Sequence, residues 1–125
     1  MLRGLPLSVN GDGSDALDFT YVQDLIQGLV LCMSKKEARN QTFNLTYGGA
    51  RTLKQMINIV QEHFPGVEVK TQPRDMLMPE RGTLSVEKAK RLLGYKPDYP
   101  LEKGFVRYIQ WYKDLAREYP KLFGR

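Results

Sequence analysis

Two arginines flank a short apolar loop and could together bind a phosphate group. Arg74 and Arg81 stand on either side of the run Met76–Met78, in a stretch whose prolines exclude a helix. A guanidinium is always charged and offers a planar set of donors that matches phosphate oxygens. The pattern predicts a phosphate clamp with a flexible apolar floor, in which Arg81 is the stronger candidate. A solvated surface arginine is the alternative for each side chain.

The other reactive side chains give no sign of a metal centre or a nucleophile. His63 is the only histidine, so no histidine pair or cluster exists for a metal or a triad, and a surface histidine near a helix C-terminus explains it sufficiently. Cys32 is the only cysteine and lies in an apolar run, which favours an inert buried thiol. The letters Gly11-x-Gly13-x-x-Ala16 fit a dinucleotide-binding pattern, but Ala16 leads into an extended segment where that pattern requires a helix. We interpret them as a turn.

The composition is that of an ordinary globular chain with a modest positive charge. Of the 125 residues, 42% are apolar and 26% are charged, and the net charge is +5. The basic residues are scattered among acidic ones, so the net charge is the only feature that favours a nucleic-acid partner, and none is expected. An anionic small molecule suits the charge equally well. No apolar run could cross a bilayer and the first six residues form no signal peptide, so we expect a cytoplasmic protein without a membrane partner.

Local signals predict four helices and three short strands. Helices are expected after the capping boxes Thr20–Gln23 and Thr52–Gln55, between an N-cap at Ser85 and a left-handed Gly94, and after Pro100. The predicted strands are Leu5–Asn10, Gln41–Tyr47 and Val67–Lys70. The first helix carries six apolar residues at helical spacing, from which we expect a well-buried face: Val22, Leu25, Ile26, Leu29, Val30 and Met33.

Several of these segments match the signatures of one enzyme family. Arg81–Pro97, followed by Leu101–Gly104 and Trp111-Tyr112, resembles the C-terminal end of the extended short-chain dehydrogenases/reductases. Asp18–Asp24 and Phe43–Gly48 resemble two earlier signatures of that family, in the right order. The resemblance covers nearly the whole chain. It points to the NAD-dependent nucleotide-sugar epimerases and dehydratases, of the UDP-glucose 4-epimerase type.

The resemblance implies an α/β fold and a set of binding residues. Gln41–Tyr47 would be the last edge strand of a Rossmann domain, and the later elements would form a small substrate-binding α/β subdomain. Val9 and Asn10 would lie beside the nucleotide base. Arg81, and with less support Arg74, would bind the diphosphate of the nucleotide sugar.

One position departs from the family pattern at the implied phosphate site. The residue before Asp18 is often an arginine that meets the diphosphate in this family, and here it is Leu17. The departure weakens the phosphate site and leaves the two loop arginines to bind the ligand.

The catalytic machinery of the family is not found in this sequence. These enzymes use a tyrosine and a lysine one turn apart on a helix. Tyr99 and Lys103 have that spacing, but Pro100 places the tyrosine outside the helix. We therefore expect residues 1–125 to be a single C-terminal substrate-binding region, with the NAD-binding Rossmann domain and the catalytic pair encoded before Met1. Alone, the chain is expected to bind no cofactor and to turn over no substrate.

Two readings of the resemblance remain open. The chain could be the nucleotide-sugar-binding portion of an NAD-dependent epimerase or dehydratase, whose partners are a nucleotide-diphosphate sugar and the Rossmann domain. Alternatively, it could be a stand-alone binding or assembly module that has kept the shape without the catalysis. In either case an unpaired strand around Phe43–Leu45 would leave an exposed edge. We expect the isolated chain to cover it as a homodimer or a segment-swapped oligomer.

Overall fold

A computed structural model describes residues 5–123, which form four helices and four short strands. In chain order these are β1 Leu7–Asn10, β2 Ala16–Leu17, α1 Val22–Ser34, β3 Arg51–Thr52, α2 Leu53–His63, β4 Val69–Gln72, α3 Glu87–Leu93 and α4 Leu101–Glu118. Single 3-10 turns, Lys36–Ala38 and Pro120–Phe123, follow α1 and α4. The predicted α/β class is confirmed, with one more strand than expected. The first four residues, part of the segment without a signal-peptide pattern, lie outside the described range.

The strands form two small sheets of two strands each. β1 and β4 pair in parallel, with Val9 opposite Thr71 and Asn10 opposite Gln72. β2 and β3 pair antiparallel through two residues each. The predicted strand Val67–Lys70 forms two residues later along the chain, as β4. Because the pair is parallel, the carboxyl ends of β1 and β4 lie at the same edge of the sheet. The loops that follow the two strands therefore lie side by side, although they are far apart in the sequence.

Two apolar clusters hold the helices together. Ile59 of α2 packs with Leu101 and Ile109 of α4, and partly buried aromatic residues surround them. Val86, Ala89 and Tyr95 form the second cluster, against α1 and the segment that follows it. None of the helices between residues 5 and 123 is long and apolar enough to span a membrane.

A buried carboxylate links the start of α1 to the turn that precedes α4. Asp24 is only 1% exposed. Its Oδ1 accepts a hydrogen bond from the Asp98 backbone N–H at 2.8 Å, and its Oδ2 accepts one from the Tyr99 N–H at 3.0 Å. A buried charge is tolerated only when such donors satisfy it. Asp24 thereby fixes where α4 begins relative to α1.

Helix α1 differs from the prediction at its start and on its outer face. The N-cap is Tyr21, without a side-chain hydrogen bond, so the predicted Thr20–Gln23 capping box is wrong. The helix begins one residue later than predicted, and the Tyr21 ring packs 4.7 Å from the Tyr99 ring, centroid to centroid. The predicted burial of the apolar face is also wrong. Its six side chains are between 39% and 87% exposed: Val22, Leu25, Ile26, Leu29, Val30 and Met33.

The opposite side of α1 is the one that packs within the chain. Gly28 is buried there, and a Cβ at this position would lie 2.7 Å from the Leu45 Cδ2 atom. Any larger residue at this position would force the Leu45 side chain to move. The side of α1 that carries Asp24 and Gly28 therefore packs against the described residues, and the apolar side is left exposed.

The predicted strand Gln41–Tyr47 does not form. The segment forms no backbone hydrogen bonds of a β-sheet, and side chains bond to some of its carbonyl groups instead. Tyr95 donates its hydroxyl to the Thr46 carbonyl at 3.0 Å, and Lys88 donates to the Thr42 carbonyl at 3.0 Å. A strand needs a neighbour, and the described part of the chain provides none beside this segment. Burial, helped by the charge of Asp24, raises the pKa of Tyr95 to about 12, so this hydroxyl stays protonated.

Signals that act within one turn of helix have mixed outcomes in the remaining helices. The Thr52–Gln55 capping box is present with both of its hydrogen bonds, and Gly94 closes α3 at φ +70°. The predicted cap at Ser85 is wrong, because the residue before α3 is Val86. The Ser85 hydroxyl lies 3.5 Å from the Glu87 N–H, at the limit of a hydrogen bond.

Replacing Asp24 should destabilise the whole chain. Asp24→Ala removes both acceptors and leaves two backbone donors unpaired, at a cost of about 3 kcal/mol in the free energy of unfolding. Urea denaturation followed by circular dichroism measures the loss. Asp114→Ala is the matched control, since this exposed carboxylate on α4 pairs only with Gln110 and Arg117 and should cost less than about 0.5 kcal/mol. Equal losses in the two variants would show that Asp24 has no such role.

Candidate functional site: the carboxyl edge of the β1–β4 pair

The edge at which β1 and β4 end brings predicted site residues together. Asn10 is the last residue of β1, and Arg74 follows the end of β4 by two residues. The Gly11 N–H donates to the Gln72 carbonyl at 2.8 Å, which extends the parallel pairing beyond Asn10. The two loops therefore leave the sheet side by side.

Arg74 lies across the turn that follows β1. Its aliphatic stem is in van der Waals range of Gly11, where an added Cβ would stand 3.5 Å from the Arg74 Cβ. The Arg74 Nε donates to both carboxylate oxygens of Asp15, each at 3.2 Å. This hydrogen bond, and then the negative charges of Asp15, Glu80 and Asp75, raise the pKa of Arg74 above its usual value. The guanidinium is thus a fixed positive charge at the edge of the sheet.

A pocket of about 210 Å³ opens beside this arginine. Val9 is buried in its floor, while Asn10 is exposed at its rim. Asp15 and Met78 also line it, together with apolar residues of α2. The pocket therefore combines an apolar wall with one amide and one carboxylate, and a guanidinium stands next to it.

Arg81 lies in the long exposed loop that follows β4. Its side chain is exposed, and no residue between 5 and 123 is its hydrogen-bond or ion-pair partner. Two residues after Arg81 the loop is attached to the rest of the chain, because the Thr83 hydroxyl accepts a hydrogen bond from the Ala50 N–H at 2.8 Å. Arg81 therefore projects from a loop that is attached to the fold at both ends.

Asp18 secures the far end of that loop. Its carboxylate accepts from the Gly48 N–H at 3.1 Å and from the Leu84 N–H at 3.4 Å. Asp18 lies in the segment Asp18–Asp24 that resembles a family signature, but no role was predicted for it from the sequence. Asp15 was not predicted either, because an acidic residue beside a predicted phosphate site has no signal of its own in the sequence.

The rejected pair Tyr99 and Lys103 does not have the arrangement of a catalytic tyrosine and lysine. Tyr99 lies in the turn before α4, outside the helix as predicted, and its hydroxyl accepts from Arg107 at 3.1 Å. The Lys103 ammonium sits 4.3 Å from the centre of the Tyr99 ring and pairs with the Asp98 carboxylate. Both groups are engaged in holding the turn.

Metal chemistry finds no support in the described residues. Between residues 5 and 123, His, Cys, Asp and Glu side chains form no group that could hold a metal ion. The His63 Nδ1 lies 3.0 Å from the Ile59 carbonyl oxygen in its own helix. Cys32 is a free, half-buried thiol on α1.

Comparison with known proteins places the chain in one family. No family model matches it. UDP-glucuronic acid decarboxylase 4 of Arabidopsis thaliana is 34% identical over 124 residues, which are 98% of this chain and 26% of that protein. The chain thus spans about a quarter of the length of this curated relative.

Solved structures give the same result. An epimerase of Methanothermobacter thermautotrophicus superposes with a TM-score of 0.88 and 30% identity, over 96% of this chain and 36% of that one. UDP-glucose 4-epimerase of Thermotoga maritima, solved with UDP-glucose, superposes with a TM-score of 0.83 and 28% identity, over 93% and 37%. The 125-residue chain therefore corresponds to the C-terminal region of the extended short-chain dehydrogenases/reductases, the family of the nucleotide-sugar epimerases and decarboxylases.

Proposed function

We propose that the chain holds the nucleotide-diphosphate half of a UDP-sugar at the carboxyl edge of the β1–β4 pair. Val9 and Asn10 lie beside the base, and Arg74 and Arg81 bind the diphosphate. The observation that carries this proposal is the parallel register, which pairs Asn10 with Gln72 and so starts the loop that carries Arg74 beside the pocket. Asn10 and Asp15 line that pocket, and Arg74 is hydrogen-bonded to Asp15.

The chemistry of the pocket suits such a ligand. An apolar wall with an exposed amide can receive a planar base, and guanidinium groups pair with phosphate oxygens through charge-assisted hydrogen bonds. The Thermotoga maritima neighbour was solved with UDP-glucose, which supports the same ligand class for this chain.

The reaction itself requires a second structural unit. We propose that an NAD-binding Rossmann domain, which supplies the catalytic tyrosine and lysine, covers the exposed face of α1. Six apolar side chains on one face of a 13-residue helix make a contiguous patch larger than a surface helix normally shows. The extended segment Phe43–Tyr47, which lacks a strand partner in residues 5–123, packs against the other side of the same helix and would join the sheet of that domain. A cytoplasmic location stays a prediction.

A stand-alone binding or assembly module is the second candidate. Two observations favour it: Leu17 stands where the family often has an arginine, and Asp15 already occupies Arg74. A chain of this kind would use the α1 face for another protein. It would bind the nucleotide weakly, without an NAD-binding partner.

Binding of UDP to the 125-residue chain tests the proposed site. Arg81→Ala and Arg74→Ala should each raise the dissociation constant for UDP roughly threefold to tenfold, because each removes a charge-assisted contact with the diphosphate. Isothermal titration calorimetry measures the constants. Arg39→Ala is the control, since this exposed arginine follows the 3-10 turn after α1. The assignment fails if all three variants bind UDP as the unaltered chain does.

Self-association of the isolated chain tests the proposed role of α1. The exposed apolar face should pair with a second copy when no other domain covers it, so sedimentation velocity should reveal a dimer at high protein concentration. Ile26→Glu places a charge at the centre of the face and should yield monomers. Trp111→Glu alters an equally exposed apolar residue on α4 and should leave the dimer intact. A monomeric unaltered chain at high concentration contradicts the proposal.

A further inference from the structure

Asp15 places a negative charge inside the site proposed for a diphosphate. Asp15 lines the pocket with Val9 and Asn10, and its two carboxylate oxygens both accept from the Arg74 Nε at 3.2 Å. Both side chains are partly shielded from solvent, at 26% and 35% exposure. Asp15 is therefore part of the pocket lining, and its ion-pair partner Arg74 stands next to the pocket.

The backbone around Asp15 keeps the carboxylate in this position. The Asp15 carbonyl accepts from the Leu53 N–H at 3.0 Å, at the start of α2. The next residue, Ala16, pairs with Thr52 across the β2–β3 sheet. The main chain at Asp15 is thus attached to the start of α2, and its side chain bonds to Arg74 from this position.

The charges near Arg74 are predominantly negative. Asp75 and Glu80 act on the same guanidinium in addition to Asp15. An incoming phosphate would meet a cation whose charge is already balanced, and it would also be repelled by the Asp15 carboxylate. The terminal nitrogens of Arg74 remain available, since the hydrogen bonds to Asp15 use only the Nε.

We propose that Asp15 is a specificity-determining residue that competes with anionic ligands for Arg74. This inference rests on the proposed nucleotide-diphosphate function and adds that Asp15 lowers the affinity of the site for anions. A bare phosphate or pyrophosphate gains too little from the terminal nitrogens of Arg74 to overcome the repulsion by the Asp15 carboxylate. A nucleoside diphosphate binds because contacts of its base with Val9 and Asn10 add to the phosphate contacts.

Neutralising Asp15 should tighten the binding of anions. Asp15→Asn keeps the size of the side chain and an acceptor for Arg74, but it removes the competing charge. The dissociation constants for inorganic pyrophosphate and for UDP, measured by isothermal titration calorimetry, should both fall by roughly threefold to fivefold. The gain should vanish in the double variant Asp15→Asn with Arg74→Gln, because the released guanidinium is its source.

A matched control and a second neutral variant complete the experiment. Asp12→Asn removes a carboxylate three residues earlier that bonds to Ser14 and not to Arg74, and it should change neither constant. Asp15→Ser supplies a second neutral side chain, and thermal unfolding checks that each variant folds. Unchanged or weaker pyrophosphate binding in both neutral variants overturns the inference.

The two ligands separate this inference from the proposed function. If UDP binds the unaltered chain but Asp15→Asn does not alter either constant, the function stands and the role of Asp15 is wrong. In the other case, the neutral variants bind pyrophosphate more tightly through Arg74, but the dissociation constant for UDP is no lower than that for pyrophosphate. The role of Asp15 is then supported, and the proposed binding of a nucleotide base by Val9 and Asn10 is wrong.

Discussion

The arrangement of the helices depends on a single buried carboxylate. Asp24 accepts backbone hydrogen bonds from Asp98 and Tyr99 and is almost fully removed from solvent. An unpaired charge in such a place would cost several kcal/mol, so the turn before α4 has to stay where it satisfies Asp24. Because α4 in turn packs on α2, this contact sets the position of α2 and of the strands that precede and follow it.

Signals decided within a few residues are predicted correctly at some helix ends but not at others, since the Thr20–Gln23 box and the Ser85 cap do not form. The Thr52–Gln55 capping box and the left-handed Gly94 form as expected, because their partners are one turn away. The strand at Gln41–Tyr47 and the burial of the α1 face were wrong for a common physical reason. Apolar periodicity predicts that one face of a helix or strand is buried, but it does not identify the residues or the second domain that bury it.

The candidate site shows the same division between local and distant information. Arginine and proline content identify the loop around Arg74 and Arg81 as a phosphate-binding candidate, and the resemblance adds Val9 and Asn10. The contact between Arg74 and Asp15 joins residues 59 positions apart and has no pattern in the sequence. The fold determines whether an arginine is free to bind a ligand or is paired with a carboxylate of the same chain. In this structure Arg74 is paired with Asp15.

The central claim is that a nucleotide diphosphate binds where β1 and β4 end. Backbone amide NMR of the 125-residue chain, titrated with UDP-glucuronic acid, tests it most directly. The account predicts that the largest shift changes occur at Asn10, at Gly11 and along the loop from Arg74 to Arg81, while the amides of α4 stay unchanged. Changes confined to α4 and the Tyr99 turn, or no changes at saturating ligand, would contradict it.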